Sequence, residues 1–243
     1  AGIQISGTDL FKSPTLSGLT PSSFSTSSPN IDEMNPIGEF PLTPIHRYFV
    51  ELDLQNPDFW HQNLLLEIPY SVSYDHIVDS ITALHEAHPS LRLTMDYHSG
   101  SARIASMIET ETEVRLLAVA NQDESSLRAT IEAEANFLGA SISLNKPSLL
   151  KATLFEGTDN EPKKLLIVAH HLLVDAVSWQ IIIQDLDTLL SPPFRIAETS
   201  LSPPTTSFRQ WASQLKERVD DGAFKKDLAF WTNQPYPIGN PFK

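Results

Sequence analysis

The chain has 243 residues, 41% of them hydrophobic, with 18 prolines against 9 glycines and a formal charge of −13. That hydrophobic share is enough for a packed core and excludes a disordered or fibrous protein, while so acidic a surface repels phosphate backbones and anionic head groups and argues against nucleic-acid and membrane-surface partners. The absence of cysteine excludes disulfides, thiolate zinc sites and a cysteine nucleophile, and fits a reducing compartment.

Taken in chain order, the opening AGIQISGTDLFK lacks the charged and apolar regions of a signal peptide. No later stretch approaches the ~20 apolar residues of a membrane span, so a cytoplasmic protein is expected. Residues 1–19 hold two short turns, one capped by Asp9 and one opened by Pro14, but Leu10, Phe11, Leu16 and Leu19 lack a core of their own. Residues 20–37 turn to Ser, Thr, Pro and Asn, the composition of a flexible linker. The folded body is read as 38–243. LTPIHRYFVELDL is helical, with Thr43 as cap and Pro44 at the first position. NLLLEIP (63–69) reads as a strand. SYDHIVDSITALHEAHP (73–89) reads as an amphipathic helix with Ile77, Ile81, Leu84 and Ala87 along one stripe. Residues 91–97 and 102–108 form a hairpin-like pair around His98-Ser99-Gly100. A strand over 114–120, a helix over 124–138 and strands over 149–155 and 164–170 follow, then a helix over 176–190. The proline-rich SPPFRIAETSLSPP leads to helices around 205–220 and 222–233, and a loop-like tail ends in NPFK. Alternating strands and helices predict an α/β (α+β) layered architecture with a mixed sheet flanked by helices.

The sharpest feature is KKLLIVAHHLLVDAVSWQIIIQDL, in which His170, His171 and Asp175 span a strand-to-helix turn. Such turns place side chains at the open edge of a sheet, where ligands bind. Adjacent residues leaving a strand point to opposite sides, so one histidine can face a cavity while the other packs. Imidazole titrates at about 6.5 and can exchange protons near neutrality. Asp175 also suits the N-cap of the following helix.

The pattern His-His-x-x-x-Asp resembles the HHxxxDG motif of the chloramphenicol-acetyltransferase-like superfamily. It has the double-histidine form of condensation and epimerization domains of nonribosomal peptide synthetases. The continuation Val177-Ser178-Trp179 resembles the epimerization subtype more than ordinary condensation domains. LTPIHRYFVE, NPDFWHQNLLLE and HPSLRLTM resemble further segments of the same domains, so the likeness runs over about residues 38–231. GTDLFKSPTLSGL resembles the end of a peptidyl carrier domain, which assigns 1–19 to a carrier tail. Two positions depart from the pattern: Ala176 replaces the motif glycine, and Gln180 stands where the epimerizing subtype carries arginine.

The resemblance implies an N-terminal lobe of an epimerization domain, with a second, C-terminal lobe and an upstream carrier domain as partners. His171 is then the catalytic histidine, supported by His170. It acts on a thioester presented on the carrier's phosphopantetheine arm, with no cofactor or metal bound directly. Asp175 would pair with Arg92, while Ser178 and Trp179 would lie near substrate. The family takes its second acid/base, a glutamate, from the other lobe, so the fragment alone is expected to be inactive. Three other readings stay open: a condensation domain, a non-catalytic remnant or docking lobe, and a free acyl-CoA acyltransferase. A zinc site on His85 and His88 lacks a third ligand.

Overall fold

Residues 165–169, Leu-Leu-Ile-Val-Ala, are apolar without interruption, and the fold buries them on both faces. In the computed structural model, which describes residues 35–158, 161–192, 196, 201 and 206–233, this run is the centre of a four-stranded mixed sheet. Residues 1–19, expected from the sequence to be a carrier tail, most of the expected linker, much of the proline-rich connection and the residues after 233 lie outside the described residues.

The elements run β1 (Gly38–Phe40), α1 (Pro44–Glu51), β2 (His61–Ile68), α2 (Tyr74–Ala87), a 3-10 turn (Pro89–Arg92), β3 (Leu93–Asp96), β4 (Ser101–Ile104), β5 (Val114–Ala118), α3 (Glu124–Ser141), β6 (Leu150–Glu156), β7 (Lys163–His170), α4 (Ala176–Leu190), α5 (Phe208–Asp220) and α6 (Lys225–Thr232). The larger sheet has the order β2-β7-β6-β5, antiparallel except for the parallel β5–β6 pair. A smaller sheet, β1-β4-β3, contains the expected hairpin plus β1, which is only three residues long and carried no sequence signal.

Alternation along β7 divides the core. Leu165, Ile167 and Ala169 face a cluster with Ile77, Ile81 and Leu84 of α2 and Ile182 and Leu186 of α4. Leu166 and Val168 face the opposite cluster, with Phe49 of α1 and Leu138 of α3. Side chains on a strand alternate between faces, and a strand covered on both sides reads as a continuous apolar run. The α2 stripe holds at Ile77, Ile81 and Leu84, but Ala87 is half-buried and His85 takes the buried place beside it.

Two caps work differently from one another. Ser73 accepts the His76 backbone N–H at 3.1 Å, an ordinary N-cap for α2. Thr43 stands at the N-cap of α1 before Pro44, but its hydroxyl meets His46 Nδ1 at 2.6 Å instead of a backbone N–H. His46 is buried between Phe40 and Phe208, its Nε2 has no partner, and burial pushes its pKa down to about 4. Among the described residues, no helix is long and apolar enough to cross a membrane.

Candidate active site

β7 ends at His170, and α4 begins at Ala176, so the motif occupies the turn between them. Backbone bonds pin that turn to the end of β7 and to Trp60, just before β2. His171 N–H donates to the Trp60 carbonyl at 2.7 Å, and Leu173 N–H donates to the His170 carbonyl at 2.9 Å.

His170 continues the Leu166–Val168 face and is fully buried, edge-on to Phe49 at 5.6 Å between ring centroids. Its Nε2 lies 2.9 Å from the Pro57 carbonyl, which can only accept, so the proton is on Nε2. Nδ1 then accepts the Leu172 N–H at 3.2 Å. Burial pushes the pKa down to about 4, outweighing the opposing pull of the Pro57 carbonyl. His170 is thus a buried ring with both nitrogens bonded to backbone groups, beside the His171 it was expected to support.

His171 is half-buried. Its Nδ1 lies 2.8 Å from the Val174 carbonyl, so the Nδ1 proton is fixed there and Nε2 carries the lone pair. Trp60 covers one side of the ring, with centroids 5.1 Å apart. Nε2 meets the side-chain amide of Gln62 at 3.1 Å. An imidazole held in one tautomer, with its basic nitrogen at the rim of a sheet, is equipped to take and return a proton.

Asp175 requires a correction. It is exposed, and its Oδ1 accepts both the backbone N–H and the hydroxyl of Ser178 at 2.7 Å. These bonds lower its carboxyl pKa, the backbone N–H contributing most. The expected pair with Arg92 is not formed. Arg92 is buried, and its guanidinium donates to the Ala105 carbonyl at 3.0 Å and to the His85 carbonyl. Each charge finds polar partners close in sequence or in the adjoining turn, so neither needs the other. Asp175 is an N-cap, and Arg92 ties the end of α2 to the segment after β4.

The remaining candidates are also placed. The Ser178 hydroxyl is engaged by Asp175. Trp179 is half-buried, and its indole N–H donates to Gln62 Oε1 at 2.8 Å. Ala176 is exposed at the first position of α4 with helical backbone, so this turn does not call on a glycine's freedom. Gln180 is exposed. His85 Nδ1 donates to the Ile81 carbonyl at 2.9 Å, and His88 Nε2 meets Asp185 at 2.5 Å. Among the described residues, no group of three or more His, Cys, Asp or Glu side chains is arranged to hold a metal ion.

Sequence reasoning missed Gln62, having started the strand two residues too late. Gln62, Leu64, Leu66 and Ile68 share one face of β2, and the three apolar members pack into the core cluster that includes Trp179. A lone polar residue at the end of that alternating series was the available signal. The antiparallel register sets Gln62 opposite Ala169, two residues before His171.

A family model described as "Condensation domain" matches residues 37–236. One of the linear gramicidin synthase proteins of Brevibacillus parabrevis is 31% identical over 214 residues, covering 85% of this chain and 3% of the relative. Surfactin synthase subunit 1 of Bacillus subtilis (strain 168) is 30% identical over 238 residues, covering 95% of this chain and 6% of the relative. Among solved structures, the epimerization domain from the third module of tyrocidine synthetase B superimposes with a TM-score of 0.74 at 25% identity. That match covers 84% of this chain and 46% of the solved one, so the chain spans about half of that domain and a small part of the synthetases. With the family match over most of its length and synthetases among its relatives, the chain belongs to the condensation-domain family of nonribosomal peptide synthetases, with the chloramphenicol-acetyltransferase-like fold.

Proposed function

We propose that the chain is the His171-bearing lobe of an epimerization domain, inverting Cα of an aminoacyl or peptidyl thioester presented on the phosphopantetheine arm of a carrier domain. The observation that carries this reading is the His171 ring, whose Nδ1–H is bound by the Val174 carbonyl while Nε2 keeps its lone pair at a half-buried position. The thioester carbonyl acidifies the Cα–H bond, and Nε2 takes that proton. The ring becomes imidazolium, and its bond to Val174 strengthens as charge develops. Inversion requires a proton delivered to the opposite face of Cα, and that acid/base belongs to the second lobe in this reading. The chain then binds no cofactor of its own, because the phosphopantetheine arm arrives with the substrate. Val177-Ser178-Trp179 and the similarity to a solved epimerization domain support the subtype.

A condensation reading has its own support in the family model's description and in Gln180, which departs from the epimerizing pattern. There His171 would assist attack of an amine on the thioester. The two are separated by supplying a loaded carrier in heavy water to this lobe joined to a second lobe. Epimerization predicts deuterium at Cα and inverted stereochemistry in the released amino acid. Peptide-bond formation without exchange would replace it with condensation. The 243-residue chain alone is expected to do neither, since a positioned acid/base contributes only about 10²–10⁴-fold when its geometry is complete.

A further inference from the structure

We propose that Gln62 is the positioning residue of His171, fixing its Nδ1–H tautomer, and that Trp179 sets the direction of the Gln62 amide. The donors and acceptors leave one solution. An indole N–H can only donate, so the Gln62 atom 2.8 Å from Trp179 Nε1 is the amide oxygen. The Gln62 NH2 group therefore points at His171 Nε2, 3.1 Å away, and can only donate to it. Nε2 must then be the unprotonated nitrogen. At the other side of the ring, the Val174 carbonyl can only accept and requires the proton on Nδ1. Two groups from different parts of the chain, Gln62 on β2 and Val174 before α4, favour the same tautomer together. Trp179, one turn into the helix that Asp175 caps, holds the Gln62 amide in that direction.

The placement suits a proton-transfer group. Gln62 keeps Nε2 unprotonated and oriented without committing it to a charge, and an incoming substrate has one neutral hydrogen bond to displace. The proposed role of His171 enters only as the purpose of this arrangement, since the tautomer is a property of this chain whether or not it acts on a thioester.

Substituting Gln62→Glu reverses the logic at nearly constant shape. One carboxylate oxygen still accepts from Trp179, and the other now demands a proton on Nε2 while Val174 retains the one on Nδ1. Only the imidazolium satisfies both, so the His171 titration midpoint should rise by about 1–3 pH units, the usual effect of an adjacent opposite charge. Gln62→Met, which neither donates nor accepts strongly, should raise the Nε2–H population with no such rise. Trp179→Phe frees the amide to rotate and should do the same to a smaller degree.

The measurement is two-dimensional proton–nitrogen correlation on the 243-residue chain with 15N-labelled histidine, His171 being assigned by the signals lost in His171→Asn. The expected spectrum of the unsubstituted chain shows Nδ1 protonated and Nε2 bare, with the three variants moving as stated while their urea midpoints report retained folding. A protonated Nε2 in the unsubstituted chain would overturn the proposal. So would a Gln62→Glu variant that folds and titrates His171 at the original midpoint. If Gln62→Glu does not fold, an unchanged tautomer in Gln62→Met overturns it by the same reasoning. Failure of Cα exchange would sink the epimerization reading and leave these spectra unaffected.

Discussion

Lowering the pH should destabilise this domain first through its buried histidines, before the range where its carboxylates matter. His46 and His170 are held at pKa values of about 4, in both cases chiefly by burial. In the unfolded chain both titrate near 6.5. The folded pKa lies below the unfolded one, so as pH falls the unfolded state binds these two protons first. Their contribution is complete above about pH 6.5 and drains away as pH drops towards 4. Full linkage gives about 3 kcal/mol per ring, at 1.36 kcal/mol per pKa unit. Relaxation and water penetration around a buried charge recover part of this, leaving about 3–4 kcal/mol for the pair against the 5–15 kcal/mol of an ordinary domain. His85 shifts in the same direction, mainly by burial, and adds to the effect. The carboxylates of Asp96, Asp123, Asp175 and Glu109 are also depressed, mostly by hydrogen bonds, Glu109 to about 2. All four are exposed or nearly so, and their stabilisation is lost only below the ordinary carboxylate range of about 4. Urea melts from about pH 7.5 to about 4.5 separate the two windows. With a slope of roughly 2 kcal/mol per molar urea, the midpoint should fall by about 1.5–2 M across that range. His46→Phe should flatten the profile by one proton, about 1.4 kcal/mol per pH unit. A midpoint that stays level down to about pH 5 would refute the assignment of neutral, buried rings.

Asp175→Ala removes an N-cap rather than half of a buried ion pair, so urea melts should show a loss of about 1 kcal/mol instead of the 3–5 kcal/mol of a broken buried pair. Asp175→Asn should recover most of it, and a loss above 3 kcal/mol for Asp175→Ala would restore the pairing with Arg92. Gly139→Ala should destabilise α3 although alanine favours helix by about 1 kcal/mol, because the new methyl would overlap the His61 ring. That ring is held by Asn63 at 2.9 Å and by a T-shaped contact with Phe59, and thermal melts of the double variant His61→Ala, Gly139→Ala should recover stability relative to Gly139→Ala alone, a coupling that additive single effects would contradict.

What was legible in the sequence was what depends on near neighbours in the chain. The apolar run before His170, the Asp175 cap, the helix over 176–190 and the stripe of α2 up to Leu84 are set by residues within a turn or two, and they appear where the pattern put them. Strand β1 left no trace because three residues carry no period, and its place is fixed by pairing with β4 more than sixty residues away. The site divides along the same line. His171 was identifiable from its motif, but the groups that fix its protons were not, since Gln62 reaches it across 109 positions through the β2–β7 register. The Asp175–Arg92 pair fails for the converse reason. It was carried over from the resemblance to the family, and the chain offers each charge a nearer partner: Ser178 three residues on for the carboxylate, and the carbonyls of His85 and Ala105 for the guanidinium. A motif therefore points to one side chain, whereas the tautomer proposed for it depends on donors and acceptors that only the paired strands bring within reach. In this chain those are an amide on β2 and an indole on α4, and the tautomer proposed for His171 follows from which of their atoms can donate.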